Sequence, residues 1–161
     1  MSETILIDTT LSKAEKYAAL LPQLRSLTEN ETDVIANMAN ISAALKEVFG
    51  WWWVGFYLVK NDELVLGPFQ GPIACTRIKY GRGVCGTAWK EKQTLLVPDV
   101  EQFPGHIACS SASKAEIVVP VFNAENNVVG VLDVDSERLG ILDEADKEGL
   151  EEVVKLLINS L

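Results

Sequence analysis

Histidine occurs once in these 161 residues and cysteine three times. Basic side chains are also scarce, with 14 Lys and Arg set against 23 Asp and Glu, for a formal charge of -9. A chain so poor in cations is unsuited to phosphate backbones, where each contact draws on Lys or Arg, so no nucleic-acid partner is expected. No stretch approaches the ~20 consecutive apolar residues that span a bilayer, and the opening Met1-Ser-Glu-Thr-Ile-Leu-Ile-Asp lacks the basic start and apolar run of a secretory signal. A cytoplasmic protein with no membrane partner is expected. Repeats, linkers and low-complexity segments are absent too, which points to one domain over 1–161. Finally, no two cysteines stand in Cys-x-x-Cys spacing, and His106-Ile-Ala-Cys109 is the only close pair of metal-ligand type. That spacing argues against a structural zinc site, and no metal or bound cofactor is expected.

What is present divides into helices at the ends and strands between them. Tyr17, Leu20, Leu21, Leu24 and Leu27 recur at helical spacing between Thr10 and about Leu27. Val34, Met38, Ile41, Leu45 and Val48 do the same between Thr32 and Phe49, with Gly50 placed as a C-cap. After these N-terminal helices (1–50), the segment 51–140 reads as a sheet with loops. Trp52 to Lys60 and Glu63 to Phe69 flank the turn Asn61-Asp62; Thr94 to Val97 follows; Glu116 to Phe122 and Asn127 to Asp135 flank a second turn. A last helix from Asp143 to Ser160 closes the chain within 141–161, with Leu150, Val153, Val154, Leu157 and Leu161 as its stripe. The pattern predicts an α+β domain, a central antiparallel sheet with the N- and C-terminal helices packed on one face. The stripes suit either a core or a dimer seam.

Gly81, Gly83 and Gly86 match G-x-G-x-x-G, but an antiparallel hairpin precedes them and Pro98 soon follows, so the βαβ context of a dinucleotide site is missing. The glycines are expected to turn the loop and open a short helix from Thr87 to Glu91. That would place Cys85 near a helix start, where the dipole lowers a thiol's pKa. Cys75, Cys85 and Cys109 lie in Gly/Pro-punctuated stretches. Taken singly, each suits a small buried residue. Cys109 differs, being flanked by Pro104, Gly105 and His106 on one side and Ser110, Ser111 and Ser113 on the other, a polar setting for an accessible thiol. A thiolate that attacks an electrophilic, oxygen-bearing centre becomes a sulfenic acid, which a second thiol condenses to a disulfide.

Asp133 and Asp135 stand at period two, so in a strand both carboxylates point to one face; Glu116 opens a strand that can lie beside them. The set suits a solvated sheet face or a pocket that receives an ammonium group and polarises an oxygen. Trp51, Trp52 and Trp53 are consecutive and cannot all face one core; an aromatic wall, packing and a dimer contact are all open to them.

Several segments carry a resemblance to a known family: Trp53-Val-Gly-Phe-Tyr-Leu58, Gly71-Pro-Ile-Ala-Cys-Thr-Arg-Ile, Tyr80-Gly-Arg-Gly-Val-Cys-Gly-Thr-Ala88, Phe103-Pro-Gly-His-Ile-Ala-Cys109, Ser113-Lys-Ala-Glu-Ile-Val-Val-Pro120 and Val131-Leu-Asp-Val-Asp-Ser136. The chain resembles the free methionine-(R)-sulfoxide reductases, single-domain enzymes of the GAF fold. The resemblance implies that Cys109 attacks the substrate sulfur, that Cys75 resolves the intermediate as a disulfide, and that Cys85 is an auxiliary thiol. It further implies that Glu116 and Asp135 polarise the sulfoxide oxygen, Asp133 holds the substrate ammonium and Trp53 packs on the terminal methyl. The substrate would be free methionine sulfoxide, the R epimer being implied by the resemblance alone, and thioredoxin would be the external reductant. A homodimer is expected. Lys79 departs from the family pattern, in which proline is expected before Tyr-Gly-Arg-Gly. The rival reading is a GAF sensory module that binds a small effector without catalysis.

Overall fold

The computed structural model describes residues 4–107 and 109–161; Ala108, inside the Phe103 to Cys109 motif, and residues 1–3 of the expected domain lie outside the described residues. The elements run α1 (Lys13–Thr28), α2 (Val34–Phe49), β1 (Trp53–Lys60), β2 (Glu63–Gln70), β3 (Arg77–Lys79), α3 (Gly83–Glu91), β4 (Leu95–Val97), β5 (Ala115–Phe122), β6 (Val128–Ser136) and α4 (Glu144–Lys155). Local chemistry sets their ends. The side chains of Ser12, Asp33 and Asp143 accept backbone N–H groups at the starts of α1, α2 and α4, and Gly50 closes α2 in the left-handed conformation at φ 66°. Asn61 and Asp62 both take positive φ, which is what a tight two-residue hairpin between β1 and β2 requires.

The six strands form one sheet in the order β3-β2-β1-β6-β5-β4, with every neighbouring pair antiparallel. Alternation along the strands sends Val54, Phe56, Ile117, Val119, Leu132 and Val134 to one face, where they meet Tyr17, Leu20, Leu24, Met38, Ile41 and Leu45 from α1 and α2 and Leu150 and Val153 from α4. The stripes of the terminal helices are therefore largely core, apart from half-buried Leu27 and from Leu161, which lies beyond α4 and is 43% exposed. Burying a Leu, Ile or Val side chain contributes about 1.5–3 kcal/mol, and this layer gathers the larger of the two clusters of buried side chains. Trp53, Tyr57, Val118 and Val131 point the other way and pack with Val84, Cys85 and Ala88 of α3. The sheet is thus covered on both faces, three helices on one and α3 with its flanking loops on the other.

Several element ends differ from the sequence expectation by one to three residues, and three differences are larger in kind. Strand β3 was not expected; three residues at a sheet edge are too short to show a period. Helix α3 begins at Gly83 rather than Thr87. The C-terminal helix ends at Lys155, where the Leu156 and Leu157 N–H groups bond three residues back, to Val153 and Val154, and a short 3-10 turn over Ile158–Ser160 follows. No helix among the described residues is long and apolar enough to cross a membrane.

Candidate functional site

The second face of the sheet carries the chemistry. Cross-strand register places Trp53 opposite Asp135, Asp135 opposite Glu116, and Asp133 between Gly55 and Val118. Residues directly opposite share a face, so one row reads Trp53, Asp135, Glu116 and the next holds Asp133. Above this floor lie the first turn of α3 and the loops that follow β2 and precede β5; Trp52, Arg82, His106, Ile107 and Cys109 complete the walls of a single pocket.

Two of the three cysteines meet at its mouth. Cys75, half-buried after β2, and Cys109, exposed before β5, are joined in a disulfide across a sequence separation of 34, with their Cα atoms 5.6 Å apart. The loop bearing Cys75 hangs from two aromatic donors on β1. The Trp53 indole Nε1 donates to the Pro72 carbonyl at 3.0 Å and the Tyr57 hydroxyl to the Cys75 carbonyl at 2.9 Å. A Cβ on Gly71, at φ 145°, would come within 2.6 Å of the Trp53 ring, so glycine is what lets this loop lie against the indole. Tyr57→Phe removes one part-buried hydrogen bond, worth about 1 kcal/mol. Closure of the Cys75–Cys109 disulfide from the reduced protein by oxidised dithiothreitol is accordingly expected to slow about fivefold; an unchanged rate in rapid-quench measurements would remove Tyr57 from this role.

The third cysteine behaves differently from the sequence expectation. Cys85 does sit in the first turn of α3, but it is only 3% exposed, and burial followed by the charges of Asp133, Glu116 and Asp135 pushes its pKa well up. Desolvation and like charge outweigh the helix dipole. Its thiol donates to Glu116 Oε1 at 3.8 Å. Gly83 takes φ 61°, and a Cβ on Gly86 would stand 2.4 Å from the Lys79 carbonyl oxygen. These glycines let α3 start beside β3 and bear no dinucleotide signature, in agreement with the antiparallel topology.

The carboxylates form a buried, proton-rich cluster, not a solvated sheet face. Burial, then the charge of Asp135, raises Glu116 to about 8. Asp133 is held well above the carboxylate range by burial and by the charge of Glu116, and Asp133 Oδ1 has no hydrogen-bond partner. Asp135 is raised by burial and by Asp133, while a 2.6 Å hydrogen bond from the Ser113 hydroxyl to its Oδ1 pulls the other way. His106 Nε2 lies 3.7 Å from Glu116 Oε2, and burial lowers the imidazole pKa, which keeps it neutral near pH 7. An acid cluster that no Lys or Arg ion-pairs among the described residues is suited to donating protons to an oxygen and accepting a cation.

Of the expected site residues, Cys75, Cys85, Cys109, Glu116, Asp133 and Asp135 line or edge this pocket, and so does Trp53, at 2% exposure. The triple tryptophan divides. Trp53 is the inner wall, stacked on Phe69 and Tyr57; Trp52 lies at the rim; Trp51 turns to the helix side and stacks on Phe49 with ring centroids 4.5 Å apart. Tyr57 and Arg82 have no role in the sequence reading, while His106 enters it as a possible metal ligand and, with Ser113, as part of the polar setting of Cys109. Tyr57 had a signal, since it follows Trp53 by two periods of two on the same strand face. Arg82 had none, and neither did the bond from Ser113 to Asp135, because their placement depends on loop closure.

Fold and site together define an α+β small-molecule pocket with a thiol–disulfide centre at its mouth. Known proteins agree. The GAF domain profile matches residues 29–158. GAF domain-containing protein A of Dictyostelium discoideum is 61% identical over 149 residues, covering 92% of this chain and 94% of that protein. The free methionine-R-sulfoxide reductase of Escherichia coli is 47% identical over 148 residues, with 91% and 89% covered. The X-ray structure of free methionine-R-sulfoxide reductase from Neisseria meningitidis in complex with its substrate superposes with a TM-score of 0.93 at 53% identity, covering 97% of this chain and 93% of that one. The chain belongs to the GAF domain family, in the branch that contains the free methionine-R-sulfoxide reductases.

Proposed function

We propose that this protein reduces free L-methionine-(R)-sulfoxide to L-methionine. The observation that carries the reading is the Cys75–Cys109 disulfide placed over a buried carboxyl cluster in one pocket. The Cys109 thiolate attacks the sulfoxide sulfur while Glu116 and Asp135 hydrogen-bond the oxygen and supply protons to it. The oxygen passes with a proton from the substrate sulfur to the Cys109 sulfur, both bonds to the departing sulfur break, methionine leaves, and Cys109 is a sulfenic acid. The Cys75 thiolate then attacks that sulfur, water leaves with the oxygen, and the disulfide forms. Two electrons and two protons from a dithiol restore both thiols. Asp133 receives the substrate ammonium, Trp53 packs on the methyl, and Cys85 remains the auxiliary thiol.

Restriction to the free amino acid follows from burial. A cluster that holds the ammonium has no cation to receive from a peptide-linked residue, and its unpaired oxygen would stay unpaired. Thioredoxin is the proposed donor, a cytoplasmic setting would keep the resting thiols reduced, and a homodimer is the proposed assembly, to be read by light scattering. The experiment is thioredoxin-coupled NADPH consumption with the R and S epimers of free methionine sulfoxide and with a sulfoxide-containing peptide. Turnover is expected for the free R epimer alone. Equal turnover of the peptide would overturn the reading, and tight ligand binding without turnover would favour a sensory module.

A further inference from the structure

We infer that Cys85, Glu116 and Asp133 form a binding site for a borderline divalent cation of the zinc type at the floor of the pocket. The three donors come from three rigid elements, α3, β5 and β6, and are 3%, 7% and 6% exposed. One ligand atom from each lies within 4.8 Å of the other two, and Cys85 Sγ stands 3.8 Å from Glu116 Oε1. Zinc bonds of about 2.0 Å to oxygen and 2.3 Å to sulfur place tetrahedral neighbours roughly 3.3–3.8 Å apart. The donor spacing thus lies within about 1–1.5 Å of that needed for coordination.

A second observation points to a ligand independently of this spacing. Asp133 Oδ1 is buried with no hydrogen-bond partner, a cost that a bound cation would remove. His106 Nε2, 3.7 Å from Glu116 Oε2, is a candidate for a fourth donor. On binding, the cation displaces the protons of Cys85 and the carboxyl groups to solvent, and the thiolate so formed selects zinc-like ions over magnesium or calcium, which take oxygen ligands. The sequence expectation against zinc rested on the three cysteines together with His106. The fold assembles a different set, with Cys75 and Cys109 engaged in the disulfide. The site therefore persists when that disulfide is closed. If the reductase reading holds, a cation here would occupy two of the acids that meet the substrate and so inhibit; the site itself does not depend on that reading.

The test uses the full chain in its disulfide form, without substrate. Cobalt(II) is titrated as the probe while the near-ultraviolet thiolate-to-metal absorption is followed, and zinc and magnesium are then added as competitors. One equivalent of cobalt is expected to bind, to be displaced by zinc and to be unaffected by magnesium. Cys85→Ser is expected to lose the absorption band, and Asp133→Asn to keep it with at least tenfold weaker binding. The Cys75→Ser, Cys109→Ser double variant is expected to bind as the unaltered protein does. No band in the disulfide form, a band surviving in Cys85→Ser, undiminished affinity in Asp133→Asn, or binding lost in the double variant would each overturn the proposal.

Discussion

Replacing Cys109 by serine is expected to abolish turnover of free methionine-(R)-sulfoxide, by at least about a thousandfold in kcat/KM. A serine hydroxyl is not ionised at neutral pH and its oxygen cannot become a sulfenic acid, so neither the attack nor the oxygen transfer has a substitute. The fold is not at risk. Cys109 is exposed, and in the reduced protein its substitution is expected to change stability by no more than about 0.5 kcal/mol. Cys75→Ser provides the complementary test, because the nucleophile remains and only the resolver is lost. It is expected to release one methionine per protein molecule and then stop, with Cys109 held as a sulfenic acid that a 1,3-diketone reagent labels. Sustained turnover by Cys75→Ser would show that another thiol resolves the intermediate. Full activity in Cys109→Ser would end the proposed mechanism.

Glu116→Gln is expected to act on both the chemistry and the pH dependence of stability. The carboxyl titrates near 4.5 in its ordinary state and near 8 in the fold, raised first by burial and then by Asp135. Between those values the folded chain keeps a proton that the unfolded chain has released. Stability is therefore highest below about pH 4.5 with respect to this group, falls as pH rises toward 8 and stays low above it. A tenfold difference in proton affinity between the folded and unfolded chains corresponds to about 1.4 kcal/mol, so ionising this group costs the fold several kcal/mol across that window. Urea unfolding of the reduced protein from pH 5 to 9 is expected to show this slope. In Glu116→Gln it should be shallower, leaving the variant more stable than the parent at pH 9. Asp133 and Asp135, shifted in the same direction, preserve part of the slope. Parallel pH profiles for parent and variant would mean that Glu116 does not hold its proton.

The same substitution removes a proton donor beside the sulfoxide oxygen. General acid catalysis contributes roughly 10²–10⁴ in rate, so kcat should fall by that order even at pH 6, where the variant is well folded. In the parent, activity is expected to decline above about pH 8 as Glu116 loses its proton. A decline of the same midpoint in Glu116→Gln would assign that titration to another group.

The legible part of this protein lies in short-range patterns. Helical spacing of Leu20, Leu24, Ile41 and Leu45 marked the two N-terminal helices, Asn61-Asp62 marked a hairpin turn, and period two placed Asp133 and Asp135 on one face. Each follows from backbone geometry that repeats within a few residues. The motifs around Cys75, Cys85 and Cys109 added family identity and, through it, the roles assigned to them.

Tertiary structure decided what depends on residues far apart in the chain. Only cross-strand register sets Glu116 opposite Asp135, and Asp135 opposite Trp53. Only packing chooses Trp53 for the pocket and Trp51 for the helix side. Loop closure from separate elements brings Tyr57 to the Cys75 carbonyl, Ser113 to Asp135 and His106 to Glu116. Burial then reverses an expectation drawn from position alone: the helix start that lowers a solvent-facing thiol's pKa cannot do so for Cys85, enclosed by three carboxyl groups. Protonation is set by solvent access and by neighbouring charge, and both are properties of the folded surface.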